Sequence, residues 1–149
     1  MADEERDKQL QEMERAQLMA TLGLTPEEVP AAIERIKQML LEHPTLLYSP
    51  WDWGAGDFET ALEGAGHVGN KEIANHLIGL GARTNLFVLT MLGKTALVKS
   101  WLELYPQYLT ARGPHGLTLL HHAQKGGDQS KELADYLQAR GLKEIKMKL

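Results

Sequence analysis

The segment GLTLLHHAQKGG, residues 116–127, places two adjacent histidines, His121 and His122, in an apolar run that ends in a glycine pair. Together with His115 just upstream, these side chains are candidates for a general base or for transition-metal ligands. Neighbouring side chains on a helix point about 100° apart, so His121 and His122 do not easily bind one ion together. A His-x-x-x-His pair, which would place both rings on one helix face, is absent from the sequence.

Other signatures of an enzyme are also missing. The chain has no Gly-x-Ser-x-Gly elbow and no dinucleotide fingerprint, and its carboxylates are scattered rather than paired. Gly93-Lys94-Thr95 resembles the end of a phosphate-binding loop, but Val88 stands where that loop needs its first glycine. We therefore expect no catalytic residue, metal or cofactor. A small metal-dependent hydrolase that uses His115, His121 and His122, with His67 or His76 nearby, is the alternative.

The bulk composition narrows the class of protein further. The 149 residues suit one domain, and the absence of cysteine excludes disulfides and thiolate chemistry. A net charge of −4 gives no electrostatic reason to expect nucleic acid as a partner. No apolar stretch approaches the ~20 residues of a membrane span, and the acidic N-terminus does not resemble a signal peptide. We expect a cytoplasmic monomer that binds neither nucleic acid nor membrane.

The loop SPWDWGAGDFE, residues 49–59, is unusually rich in aromatic side chains for a chain with 6% aromatics. Aromatic residues interleaved with acidic ones on a projecting loop suit a hot spot for a protein partner. The equally weighted alternative is that the tryptophans fold back onto the helices. A second loop, ARGPHG at residues 111–116, adds Arg112 and His115. The predicted partner-binding residues are Trp51, Trp53, Asp57, Phe58, Glu59, Arg112 and His115.

Helical periodicity and helix-stop signals predict the elements that position these loops. Glycines are too dense in the middle of the chain for long helices, and no segment alternates convincingly as a strand. The predicted helices cover residues 3–22, 25–42, 60–67, 71–80, 86–91, 94–105, 118–125 and 131–140. Thr25 is predicted to cap the second helix with Glu28, and Pro30 to interrupt it. Its buried face is predicted to hold Val29, Ile33, Ile36 and Leu40. We expect an all-α protein of short antiparallel helix pairs.

The helix pairs recur along the chain. Thr60, Leu62 and Ala65 return in the same order as Thr118, Leu120 and Ala123. The stretch TALEGA followed by GNKEI and LIGLGARTN resembles the ankyrin repeat, a unit of ~33 residues with a Thr-Pro-Leu-His-x-Ala signature. The stretch TLLHHA keeps the signature histidine. The unit between them is degenerate, because its projecting loop has been deleted. The chain is also similar to small bacterial ankyrin proteins with a Trp-Asp-Trp-Gly loop.

The resemblance implies an ankyrin-like α-solenoid with a helical N-terminal cap. It divides the chain into a capping helix at 1–24, a repeat domain at 25–142 and a basic tail at 143–149. It implies that His121 supports its helix start through hydrogen bonds with neighbouring backbone and with the Thr118 hydroxyl, and that His122 holds a variable position facing solvent or the next unit. The structural repeat residues that it implies are Thr60, Leu62, Ala65, Gly69, Gly81, Thr118, His121 and Ala123.

These observations favour a non-catalytic protein–protein interaction module. Stacked helices would hold the two loops and a concave helical face in a fixed arrangement for a partner. Besides the metal-dependent hydrolase, an engineered repeat scaffold without a natural ligand is the remaining alternative.

Overall fold

The computed structural model of the chain describes residues 2–21 and 23–149, with side chains over 2–14 and 23–149. Within these residues the protein is all-α, and its strands are only two residues long. The α-helices are α1 (Ala2–Thr21), α2 (Val29–Glu42), α3 (Ala61–Val68), α4 (Lys71–Gly79), α5 (Leu86–Met91), α6 (Thr95–Leu104), α7 (Leu119–Lys125) and α8 (Lys131–Ala139). The strands are β1 (Trp51–Asp52) and β2 (Phe58–Glu59), and 3₁₀ turns cover Pro44–Leu47, Pro106–Thr110, Pro114–Gly116 and Gly127–Ser130. The predicted end of α1 at Leu22 lies outside the described residues.

Side-chain caps explain why the middle helices begin where the sequence predicts. Thr60 and Glu63 form a reciprocal capping box at α3. Asn70, Asn85 and Thr118 each accept a hydrogen bond from a backbone N–H in the first turn of α4, α5 and α7. Glycines with left-handed backbone follow α3 at Gly69 (φ 80°), α4 at Gly81 (φ 96°) and α8 at Gly141 (φ 99°).

The start of α2 differs from the prediction. Glu28 Oε1 accepts hydrogen bonds from the Thr25 N–H at 3.2 Å and hydroxyl at 2.7 Å, so this pair closes a separate turn before the helix. The helix begins at Val29 and holds Pro30 in its first turn, where a missing N–H costs nothing. Val29 and Ile36 are buried, and Ile33 and Leu40 are partly buried against the same core.

Consecutive helices form pairs, and the first helices of the pairs pack on one another. α1 contacts α3, α3 contacts α5 and α5 contacts α7, while α4 and α8 pack on α3 and α7. Leu62, Ala65 and Ala123 are fully buried in this row, where small side chains permit close helix approach. The core has two parts: one joins α2, α3, α4 and α5, and the other joins α5, α6, α7 and α8.

The row is not simply linear, because α3 and α7 also contact each other directly. Lys71 Nζ donates to the carbonyl oxygen of Gly126 at 2.6 Å, and His121 Nε2 lies 2.8 Å from the carbonyl oxygen of His67. α5 between them has only six residues. A short middle helix with no projecting loop leaves room for its two neighbours to meet.

The basic tail is packed against the rest of the protein. Lys146 forms an antiparallel bridge with Leu117, and the Met147 N–H donates to the Gly116 carbonyl oxygen at 2.8 Å. The Thr118 hydroxyl donates to the carbonyl oxygen of Glu144 at 2.6 Å. The tail therefore extends the loop that precedes α7. Among the described residues, no helix is both long and apolar enough to cross a membrane.

Replacing Gly69 by alanine tests the close contact between α3 and α7. A β-carbon at Gly69 would lie 2.6 Å from the carbonyl oxygen of Lys125, whereas one at Gly141, also left-handed at φ 99°, meets nothing within 4 Å. Gly141→Ala should lower the free energy of unfolding by ~1–2 kcal/mol from backbone strain alone. Gly69→Ala should cost a further ~1–3 kcal/mol, because backbone must move. Urea unfolding measures both, and equal losses would contradict the contact.

Candidate functional site

The aromatic loop folds as a β-hairpin that the sequence did not reveal. Trp51 pairs with Glu59 and Asp52 with Phe58. The Asp52 side chain accepts hydrogen bonds from the N–H groups of Gly54 at 2.8 Å and Gly56 at 3.1 Å, which closes the turn. Strands of two residues are too short to show alternation, so only the glycines signalled the tight conformation.

The side chains of the hairpin are divided between solvent and protein. Phe58 is 55% exposed and Trp53 is 43% exposed, whereas Trp51 is partly buried. The Trp53 indole N–H donates to Glu59 Oε2 at 2.9 Å, so its polar edge points inward. Both interpretations of this loop therefore apply in part: it is tied to the protein, and it still presents aromatic surface.

The 111–116 loop meets the hairpin through His115. The His115 N–H donates to Asp57 Oδ1 at 2.8 Å, His115 Nδ1 lies 2.7 Å from Asp57 Oδ2, and Nε2 lies 3.3 Å from Glu59 Oε2. His115 has a left-handed backbone conformation (φ 62°), which is uncommon for a residue with a side chain. Residues in such conformations occur more often at functional sites than elsewhere. The Asp57 carboxylate stabilises that conformation.

Arg112, the other basic side chain of this loop, contacts the tail rather than Asp57. Its Nη1 donates to the carbonyl oxygen of Lys148 in the tail at 2.7 Å, and its side chain is exposed. The ring of His115 instead contacts both acidic side chains, Asp57 and Glu59. Sequence order alone gave no way to choose between these two basic side chains of one short loop.

Glu59 lies at the centre of the cluster. Its side chain has no solvent exposure, and Oε1 lies 2.5 Å from His67 Nδ1 on α3. The rings of His67 and His115 meet edge to face with centroids 5.1 Å apart. Each of Glu59, His67 and His115 offers one ligand atom within 4.8 Å of the others. His67 belongs to this site although the sequence gave it only a supporting role.

The contacts of Asp57 set its protonation. Partial burial raises the pKa of this carboxyl, but hydrogen bonds from the backbone and ring of His115 and the nearby charges of His115 and Lys146 outweigh that effect. The net result is a pKa below the ordinary value. Asp57 is therefore ionised near neutral pH and acts as an acceptor toward His115.

The histidine trio suggested by the sequence does not converge. His121 Nε2 lies 2.8 Å from the backbone carbonyl oxygen of His67, whereas the Thr118 hydroxyl oxygen accepts from the backbone N–H of His121, at 3.4 Å, instead of bonding to the ring. His122 is buried with 1% exposure rather than facing solvent, and its Nδ1 lies 2.7 Å from the carbonyl oxygen of Thr118. These two rings and His115 each face different partners.

Beside the hairpin runs an open groove of about 260 Å³. Its walls combine apolar side chains, of which Phe58 and Leu149 are exposed, with one guanidinium group and two carboxylates, and they come from the hairpin, α3, α5, the 111–116 loop and the tail. The groove is lined by Ala55, Gly56, Asp57, Phe58, Glu63, Phe87, Arg112, Gly113, Pro114 and Leu149. Of the predicted partner-binding residues, Asp57, Phe58 and Arg112 line this groove. The other four, Trp51, Trp53, Glu59 and His115, are not part of its lining.

Fold and site together define an all-α protein of antiparallel helix pairs with a hairpin and a loop joined by an acid–histidine cluster. Comparison with protein-family models, with curated proteins and with solved structures gives no match. The resemblance to ankyrin repeats therefore rests on the sequence motifs quoted above.

His122 should make the stability of the protein depend on pH. Burial is the main cause that lowers its pKa to about 4, against ~6.5 in an unfolded chain. Between these values the unfolded chain binds a proton that the folded protein does not, so stability falls as pH decreases from ~6.5 to ~4. The loss amounts to about 3 kcal/mol for this group.

His122→Asn tests this, since asparagine keeps a donor near the position of Nδ1 and does not titrate. Unfolding in urea at several pH values should show that the variant loses less stability on acidification than the wild type. Asp57 and His121, whose pKa values are also lowered, act in the same direction in both proteins. An undiminished loss in the variant would assign the whole effect to those groups.

Proposed function

We propose that the protein is a non-catalytic protein–protein interaction module, built as an ankyrin-like stack of helix pairs. The observation that carries the proposal is the groove beside Phe58, whose two walls are joined by the Asp57–His115 contacts. Aromatic and arginine side chains next to each other on a fixed surface are typical of interface hot spots. The function needs no catalytic residue.

The ankyrin-type arrangement has three local supports. Thr60 and Thr118 occupy equivalent positions and cap the first helices of their pairs. A hairpin or a turn that projects from the helices precedes each of these caps. Gly81 and Gly141 follow the second helices of the same pairs with left-handed backbone. A repeat predicts that caps, loops and glycines recur at equivalent positions of successive units, as they do in these two helix pairs.

Rigidity is the proposed mechanism of recognition. Asp57 accepts hydrogen bonds from both the backbone and the ring of His115, and Glu59 accepts one from Trp53. These contacts fix the hairpin before a partner arrives, so binding orders few groups and less affinity is lost to entropy.

The walls of the groove indicate the chemistry of the partner. Phe58, Phe87 and Leu149 suit an apolar side chain, and the exposed guanidinium of Arg112 suits a carboxylate. The two acidic side chains of the lining are already hydrogen-bonded within the protein, Asp57 to His115 and Glu63 to Thr60 and Asn85. We propose a protein segment that carries an apolar residue beside an acidic one. A cytoplasmic location and a monomeric state remain predictions from the sequence.

Phe58→Ala and Arg112→Ala test the groove. A partner captured from an extract of the source organism is purified, and its Kd is measured by calorimetry with each variant. Each change should weaken binding at least ~10-fold, the loss expected at a hot spot.

Tyr105→Ala is the matched control for Phe58→Ala, because Tyr105 is a similarly exposed aromatic residue, at 51%, outside the groove. It should leave the Kd unchanged. Equal affinity of all variants would place the interface elsewhere. Failure to capture any saturable partner would favour a scaffold without a natural ligand.

Trp53→Ala should also weaken capture of the partner, while helicity and cooperative melting persist. The structure adds that this change removes the hydrogen bond to Glu59, so the hairpin should become more mobile. Circular dichroism during heating is the measurement. Collapse of the fold would show that Trp53 is a structural residue rather than part of the interface.

A further inference from the structure

Three segments that are distant in sequence bring possible metal ligands to one point. Glu59 ends the hairpin, His67 lies in the last turn of α3, and His115 lies in the loop before α7. Glu59 Oε1 is 2.5 Å from His67 Nδ1, and Glu59 Oε2 is 3.3 Å from His115 Nε2. The carboxylate thus lies between two imidazole nitrogens that both point toward it.

The surroundings of this group resemble the outer shell of a metal site. Asp57 Oδ2 lies 2.7 Å from His115 Nδ1. With this carboxylate oxygen as its hydrogen-bond acceptor, Nδ1 carries the ring proton, and the lone pair of Nε2 then lies on the side of Glu59. A carboxylate that fixes the tautomer of a histidine in this way is the usual partner of a metal-bound imidazole.

We propose that Glu59, His67 and His115 bind a zinc-class divalent metal ion, with Asp57 as the positioning residue for His115. The bound ion joins the hairpin, α3 and the 111–116 loop. This inference does not depend on the protein partner proposed above, because it concerns the support of the groove rather than its occupant.

The ligand set determines the class of ion. Two imidazoles and one carboxylate suit zinc and its neighbours, whereas calcium and magnesium prefer oxygen ligands only. The ion displaces the proton between His67 Nδ1 and Glu59, and the neutral imidazole then carries that proton on Nε2. With three protein ligands, the fourth position of a tetrahedral ion falls to water.

The proposed ligands are mostly buried, but the two histidines keep enough solvent exposure for an ion to reach them. The side chains of His67 and His115 are 14% and 26% exposed, whereas Glu59 is buried. A second group, Glu12, Glu42 and His43, has its ligand atoms within a similar distance. It offers only one nitrogen and Glu42 is exposed, so it is the weaker candidate and serves as the comparison.

The test is a calorimetric titration of the EDTA-treated, dialysed full chain with zinc chloride. The wild type should bind one ion and melt at a higher temperature with zinc. His67→Gln and His115→Gln should each weaken binding by more than the ~10–100-fold loss expected for the outer-shell change Asp57→Asn. His76→Gln, on α4 and outside the group, is the matched control and should bind like the wild type.

A second measurement on the wild type does not depend on whether the variants fold. In ¹⁵N-histidine spectra, zinc should shift Nδ1 of His67 and Nε2 of His115 and leave His121 and His122 unchanged. Absence of zinc binding, binding that survives both His67→Gln and His115→Gln, or shifts on other rings would overturn the proposal. Loss of binding in His43→Gln alone would assign the ion to the group around Glu12.

Discussion

The buried carboxylate of Glu59 is the constraint around which this side of the protein is organised. A charge without solvent exposure is costly unless hydrogen-bond donors surround it. Trp53 and His67 supply such contacts from the hairpin and from α3, and His115 approaches from the following loop. Because these partners come from different segments, meeting the needs of one side chain also fixes the hairpin relative to the helices. The exposed aromatic surface beside it is a result of that arrangement.

Most helix boundaries followed from the sequence because they are set by local signals. Thr60, Asn70, Asn85 and Thr118 satisfy N–H groups within the next turn, so neighbouring residues are enough to place the helix starts. Thr25 and Glu28 show the limit of this reasoning. The same hydrogen bonds close a turn just as well, and the packing of α2 then decides where the helix begins.

The site was harder to predict because it depends on tertiary contacts. The sequence drew attention to the 49–59 and 111–116 loops, since dense aromatics and glycines are visible without a structure, but it did not predict that the first is a hairpin. It did not show that His115 rather than Arg112 would face Asp57, or that His67 would complete the cluster. The burial of His122 depends on its contact with Phe87 of α5, with ring centroids 5.2 Å apart, which no local pattern records. Side chains of similar chemistry are distinguished only by packing.

The direct contact between α3 and α7 has a consequence for how the protein holds together. In an array where each unit touches only its neighbours, the energy is a sum along one dimension, and units can be removed or fray one at a time. Here α3, α5 and α7 each touch the other two. Removing α5 and α6 would therefore abolish the contacts of α5 with α3 and with α7, but the direct contact between α3 and α7 would remain. Unfolding is then a single event for the three helices rather than an unzipping from one end.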